Sequence, residues 1–164
     1  MKALILGSGT STGVPLIGCN CNVCLSDDPK NNRRRVSIIV QDGLTNLLVD
    51  TSPDLRVQLL DSSISNLSGV LYTHAHADHL HGLDDLRSIN YRMGQSINVW
   101  GSASTMNVIT DRFGYAFNPL DKGWGRPSLS ANLISHGTQF LIDHITVMPF
   151  AQNHGGSTTT GYRL

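Results

Sequence analysis

The run Thr73-His74-Ala75-His76-Ala77-Asp78-His79-Leu80-His81-Gly82 holds four of the seven histidines in this 164-residue chain. Neutral imidazoles and a carboxylate suit zinc, manganese or iron. The spacing H-x-H-x-D-H lets His74 and His76 face one ion while Asp78 and His79 face a second. Two ions about 3.5–4 Å apart can share a hydroxide and clamp the attacking and leaving oxygens of a hydrolysis. His81 reads as a helix-surface residue as readily as a ligand or proton donor. A second cluster, Cys19-Asn20-Cys21-Asn22-Val23-Cys24, contains all three cysteines. They are too closely spaced for ordinary disulfide geometry, and three cannot all pair within one chain. Thiolates in a C-x-C-x2-C pattern can wrap one zinc ion, with a fourth ligand from elsewhere. The plainer alternative is three reduced, free cysteines. A catalytic cysteine lacks a base paired with it in the pattern.

Short elements must position these groups. Lys2 to Leu6 reads as a buried strand, followed by the loop Gly7-Ser8-Gly9-Thr10-Ser11-Thr12-Gly13. That loop is one residue too long for a dinucleotide fingerprint, and no helix opens after it. It reads as a turn that lets backbone pass close to other groups. Residues 19–35 form a loop. Val36–Val40 and Leu44–Val49 are strands joined at Asp42-Gly43. Ser52-Pro53 reads as an N-cap and first helical residue, opening a helix with Leu55, Leu59 and Leu60 on its apolar face. Gly69–Thr73 is a buried strand that delivers the histidine run. A helix is expected over Leu80–Ile89, a strand over Ile97–Trp100, and a helix capped by Ser102 up to Arg112. Residues 114–130 read as an excursion loop. Strands follow at Asn132–Ile134, Thr138–Ile142, Ile145–Phe150 and Thr158–Leu164, with a hairpin at Asp143-His144. Strands and helices alternating loosely, with hairpins between, predict an α/β (α+β) fold with a mixed sheet flanked by helices.

Composition bounds the rest. The length suits one domain spanning residues 1–164. Twelve basic residues balance twelve acidic ones, so no global field recruits a polyanion, and the balance argues against nucleic acid as a partner. No apolar run reaches the roughly 20 residues that span a bilayer, and the start is too short for a secretory signal. A soluble cytoplasmic protein is expected.

H-x-H-x-D-H after an apolar strand resembles the metallo-β-lactamase superfamily of binuclear hydrolases. Further motifs narrow the resemblance. They are His79-Leu80-His81-Gly82-Leu83-Asp84-Asp85-Leu86-Arg87, the Gly7–Pro15 opening, the cysteine run and Asp50-Thr51-Ser52-Pro53-Asp54-Leu55-Arg56. Together they are similar to the branch containing phosphoribosyl 1,2-cyclic phosphate phosphodiesterases. The resemblance implies an αββα sandwich, of which this chain would be the N-terminal portion. It implies a Zn2+ or Mn2+ pair, with His74, His76 and His154 on the first metal and Asp78 and His79 on the second, where Asp78 is also the catalytic acid residue of the motif. His136 competes less well for the third place, because it precedes a strand instead of following one; His144, in a hairpin turn, reads as surface. Asp50 would brace the metal loop by hydrogen bonds, or else be an ordinary turn aspartate. Cys19, Cys21 and Cys24 would hold a structural Zn2+; the family's fourth ligand, a late histidine, has no counterpart, leaving His136, His144, water or a partner's side chain.

The implied function is hydrolysis of a small (cyclic) phosphodiester by attack of a metal-bound hydroxide on phosphorus. Arg87 either contacts the phosphate or pairs with Asp84 or Asp85, and Arg33-Arg34-Arg35 either meets phosphate or is solvated surface. Two alternatives stand beside it: a transfer-RNA 3′-processing type of endonuclease, and a non-catalytic zinc-binding protein. The superfamily also uses a bridging aspartate and a last histidine beyond His154. No Asp, Glu, His or Cys follows His154 here, so a fragment of a longer chain is expected. A homodimer would cover the open strand edge near residue 164.

Overall fold

The computed structural model describes residues 1–118 and 125–164. A six-stranded sheet runs in the order β1 (Lys2–Gly7), β2 (Ser37–Asp42), β3 (Thr45–Val49), β4 (Gly69–Leu71), β5 (Ile97–Ser102) and β6 (Leu129–Ile134). The first three strands pair antiparallel, and β3 through β6 pair parallel. A second sheet holds β7 (Phe140–Ile142), β8 (Ile145–His154) and β9 (Ser157–Arg163). The parallel connections carry α1 (Leu55–Ser62), α2 (Ala77–Leu80), α3 (Leu86–Met93) and α4 (Ala103–Arg112).

Alternation along the strands divides the core in two. Ile39, Leu48, Val70 and Val99 face the helices, where Leu55, Leu59, Leu86, Ile89, Met106 and Ile109 pack on them. Their chain neighbours Val40, Leu47 and Leu71 point the other way, onto Ile142, Ile145 and Val147 of the second sheet. This period of two gives each strand a partner layer on both faces. The order is helices, sheet, sheet, the first three layers of the expected αββα sandwich. On the outer side of the second sheet, Leu141 is 66% and Phe150 is 42% exposed. Among the described residues no helix is long and apolar enough to cross a membrane.

Several expected boundaries shift. The β2–β3 turn is Gly43-Leu44, with Gly43 at φ +59°. α1 starts at Leu55 with Asp54 before it, so Ser52 does not cap the helix; its Oγ accepts from the Asp54 amide in the preceding turn at 3.2 Å. Leu60 is 61% exposed. Gln58 takes the inward place instead, donating to the Arg35 carbonyl and accepting from Ser52 Oγ, each at 2.9 Å. The expected helix over 80–89 is broken into α2, a 3-10 turn at Leu83–Asp85 and α3. Ser102 does cap α4, accepting from the Thr105 amide. β4 stops at Leu71, two residues earlier than expected, whereas β5, β6 and β8 run longer. Part of the expected excursion, residues 119–124, lies outside the described residues.

Candidate metal centre

Parallel strands β3, β4 and β5 end on the same side of the sheet, where open α/β folds place their ligand sites. Asp50 directly follows β3; it is 3% exposed and held at φ +61°. Its amide donates to the Leu71 carbonyl at 3.0 Å, so the left-handed turn is fixed by the neighbouring strand. The chain leaving β4 passes directly over it. Asp50 Oδ1 accepts from the Thr73 amide at 2.8 Å, and Oδ2 accepts from the Thr73 hydroxyl at 2.7 Å. Oδ2 also takes the Nδ1 proton of His79 at 2.7 Å.

These bonds assign protons. With Nδ1–H of His79 on Asp50, its Nε2 is the free ring nitrogen, and it stands 3.3 Å from Asp78 Oδ2. Because the Thr73 hydroxyl donates to Asp50, its lone pair accepts the Nδ1 proton of His74 at 2.9 Å. His74 Nε2 is then unprotonated and faces His76 Nδ1 at 3.0 Å. A carboxylate behind a ring nitrogen is the usual device for fixing a ligand's tautomer and orientation. Asp50 does this directly for His79 and through Thr73 for His74. The bracing role expected of Asp50 is therefore the one its geometry supports.

A tight connection holds the far end of the histidine run. The Thr51 amide donates to the His79 carbonyl at 2.8 Å and its hydroxyl to the Leu80 carbonyl at 3.0 Å, while the Gly82 amide returns a bond to the Thr51 carbonyl at 2.9 Å. A Cβ on Gly82 would lie 1.9 Å from the Ser52 carbonyl oxygen. This close backbone approach is what interrupts the helix expected across residues 80–89.

His154 arrives from the other sheet. It ends β8 opposite Ser157, and Gly155 and Gly156 turn the chain at φ +55° and +87°. Ligand atoms of His74, His76 and His154 all lie within 4.8 Å of one another. Zinc–nitrogen bonds of about 2.0–2.1 Å in tetrahedral geometry place nitrogens about 3.3 Å apart, so a slight contraction of this trio fits one ion. The His79 ring centroid is 4.1 Å from that of His74, which sets the His79–Asp78 pair beside the trio. Burial, and then the neighbouring rings of His79, His76 and His154, hold the His74 imidazolium down to about 4. The ring is thus neutral at pH 7, the form that ligates a metal. For His79 burial also opposes protonation, but the hydrogen bond and charge of Asp50, with Asp78, raise its pKa above the ordinary value.

The remaining candidates lie elsewhere. His136 Nε2 pairs with Thr160 Oγ1 at 3.0 Å, and His144 Nε2 with Asp42 Oδ2 at 2.9 Å. His81 is exposed, with its ring 5.9 Å from that of Phe113. Arg87 pairs with Asp84 at 3.7 Å, Arg34 with Asp61 at 2.7 Å and Arg35 with Asp54 at 2.6 Å. The sulfurs of Cys19, Cys21 and Cys24 lie within 4.8 Å of one another. Hydrogen bonds from the Cys24 backbone and from the Cys19 and Cys24 side chains lower the Cys21 thiol to about 7. Thr73 was not among the expected site residues; its signal was its place between an apolar strand and the first histidine.

Fold and site together define a layered α/β protein that gathers histidines and carboxylates at the carboxyl ends of its parallel strands. Residues 45–164 match the family described as the Beta-lactamase superfamily domain, and the chain belongs to that family. It is 40% identical over its whole length to an octanoyltransferase of Porphyromonas gingivalis, of which it spans 33%. A solved diphosphatase of the PhnP family superposes with a TM-score of 0.88 at 35% identity, covering 98% of this chain and 60% of that one. Zinc-bound PqqB of Methylobacterium extorquens superposes with a TM-score of 0.71 at 25% identity, over 92% of this chain and 52% of its own.

Proposed function

We propose that this chain carries the metal-binding residues of a metal-dependent hydrolase acting on a small phosphodiester. The observation that carries the proposal is the convergence of His74, His76 and His154 beside His79 and Asp78, with Asp50 setting the proton positions. Similarity to the PhnP-family diphosphatase, and to a zinc-bound PqqB, supports the metal and the phosphate chemistry. A bound zinc or manganese pair would supply a water nucleophile at neutral pH and stabilise charge on the phosphoryl oxygens. His74, His76 and His154 would hold the first ion, and Asp78 and His79 would contribute to the second. Asp50 and Thr73 engage the rings of His79 and His74 at Nδ1, which leaves Nε2 of each as the nitrogen that would ligate. The phenols of buried Tyr72 and half-buried Tyr162, pushed up by desolvation and then by the Asp50 charge, stay protonated beneath the site. Cys19, Cys21 and Cys24 would hold a separate structural zinc.

A second reading is a metal-binding protein without turnover. It is favoured by the two-residue set, Asp78 and His79, that the second ion finds here. Metal analysis together with turnover of bis(p-nitrophenyl) phosphate separates the two. Two catalytic ions per chain and metal-dependent turnover, abolished in His76→Ala, are expected for the hydrolase. One ion and no turnover would establish the second reading.

A further inference from the structure

The histidine trio is assembled from two different sheets. His74 and His76 follow β4 of the first sheet, and His154 ends β8 of the second. The buried apolar contact between the sheets runs through Ile142, Ile145 and Val147 and stops well short of His154. Beyond it the hairpin projects into solvent, with residues 151–158 all exposed. Packing alone therefore leaves the third histidine on an unsupported arm.

Two hydrogen bonds join the sheets where that arm leaves the core. The Thr160 amide donates to the Thr73 carbonyl at 2.9 Å, and Tyr162 Oη donates to the Tyr72 carbonyl at 2.8 Å. Both donors lie on β9, and both acceptors are in the two residues immediately before His74. The amides of the same two residues are held by the first sheet, Tyr72 by the Trp100 carbonyl and Thr73 by Asp50 Oδ1, each at 2.8 Å. Half-buried Tyr162 packs against the core between the sheets, so its hydroxyl is aimed by its ring. On β9, Thr160 stands opposite Ala151, and Ser157 stands opposite His154 at the tip. At about 3.4 Å per residue, the tip lies about 10 Å beyond the Thr160 bond, so a pivot of about 6° there moves His154 by about 1 Å. Metal–ligand distances tolerate only about 0.2 Å. The seam is thus what decides whether His154 meets the other two histidines.

We propose that Tyr162 is a positioning residue for the metal: its hydroxyl pins the β8–β9 hairpin to the Tyr72 carbonyl and so sets His154 against His74 and His76. This rests on the reading of the three histidines as ligands of one ion. Tyr162 touches neither ion nor substrate and acts through His154. Of the two bonds in the seam, it is the one that a side-chain substitution removes without disturbing backbone.

The test uses the full 164-residue chain and zinc alone, with affinity at the cluster read from the imidazole nitrogen shifts of His74, His76 and His154. Tyr162→Phe should weaken zinc binding about threefold to tenfold, the scale of one hydrogen bond. In the double variant His154→Ala, Tyr162→Phe, affinity should equal that of His154→Ala alone, because the tyrosine has no other route to the ion. Ile109→Val, which loosens the helix side of the core and leaves the seam intact, should bind zinc as wild type does. In the metal-stripped chain the His154 and His74 rings, with centroids 5.1 Å apart, should give a nuclear Overhauser effect that falls at least twofold in Tyr162→Phe. Where that variant fails to fold, wild type carries the test: coupling is reciprocal, so zinc should slow hydrogen exchange of the Thr160 amide more than that of the Leu48 amide in the sheet core. Wild-type zinc affinity in Tyr162→Phe overturns the proposal, as does a further loss in the double variant, an equal loss in Ile109→Val or equal slowing at Thr160 and Leu48. If His154→Ala binds zinc as wild type does, the three-histidine reading falls and takes the proposal with it; if His154→Ala loses zinc and Tyr162→Phe does not, the proposal alone falls.

Discussion

Asp50→Asn changes almost nothing in size and reverses one side of a hydrogen-bond network. The carboxylate is 3% exposed and accepts three bonds, two from Thr73 and one from His79. Asparagine also tolerates the positive φ found here, so the backbone turn is not the variable. If the new side-chain oxygen keeps the Thr73 amide, its NH2 group faces the Thr73 hydroxyl and His79 Nδ1. Both donate in the wild type, and both must now accept or separate. His79 would then carry its proton on Nε2, the nitrogen that stands 3.3 Å from Asp78. Thr73, turned to accept from the asparagine, would no longer fix the His74 tautomer through the same lone pair. Losing such an orienting carboxylate costs about 10- to 100-fold in metal affinity, or about 1.4–2.8 kcal/mol. The assay is zinc competition against a chromophoric chelator, with thermal melting of the stripped chain to establish folding. A folded variant that binds zinc within about twofold of wild type would refute the proton assignment.

Gly82→Ala should lower stability by about 1–3 kcal/mol or more, since its Cβ would meet the Ser52 carbonyl at 1.9 Å and backbone must move; an unchanged melting temperature would show that the Thr51–Gly82 connection yields freely. His76→Ala should remove zinc from the histidine cluster and leave any zinc at the cysteines, whereas Cys21→Ser should do the reverse and lower the melting temperature. Equal loss of both in either variant, read by metal analysis, would contradict two independent sites. Asp42 lies below its ordinary pKa of 3.8 because the N-terminal ammonium and then His144 hydrogen-bond to it. A depressed carboxylate stabilises the fold above pH 3.8 and loses that contribution as pH falls through its folded value. The melting temperatures of wild type and Asp42→Asn should therefore converge as the pH is taken below about 4; a constant difference down to pH 2 would mean that the contacts do not depend on the charge.

The histidine run and the strand before it were legible because their information is local. Four ligand-type side chains within eight residues, placed after an apolar strand, need no tertiary argument. His154 was harder, since its partners lie some eighty residues earlier, and the strand context that favoured it over His136 was only partly right. Polar residues Gln152, Asn153 and His154 made β8 seem to end at Phe150, yet they pair with Thr159, Thr158 and Ser157 in the hairpin. Edge pairing with β-branched threonines decided the strand where hydrophobicity did not. The helix across residues 80–89 failed for a different reason. Its apolar pattern was real, with Leu80, Leu83, Leu86 and Ile89 all in the core, but Gly82 is committed to the Ser52 backbone. The cost of that contact appears in no local propensity. Leu60 and Gln58 show the same limit: a buried glutamine that bridges Ser52 and the Arg35 carbonyl cannot be told from a surface one by spacing.

Asp50 shows why the histidines gather at this edge of the sheet. An aspartate at a strand end is ordinary turn chemistry, and its sequence alone left both roles open. What decides between them is the parallel pairing of β3 and β4, which puts residue 50 level with the point where the next strand stops. The Asp50 amide bonds to β4, and its carboxylate takes the Thr73 amide just beyond it. A carboxylate this buried is stable only with its donors in place. Thr73 and His79 are those donors, and in satisfying Asp50 they turn His74 Nε2 and His79 Nε2 outward. The same bonds that make the aspartate tolerable in the interior thus preorganise the histidines. A substitution at Thr73 should consequently affect His74 and Asp50 together. Thr73→Ser, which keeps the hydroxyl, should retain zinc affinity, and Thr73→Val should lower both zinc affinity and stability. Loss of only one of the two in Thr73→Val would separate the brace from the ligand it is argued to orient.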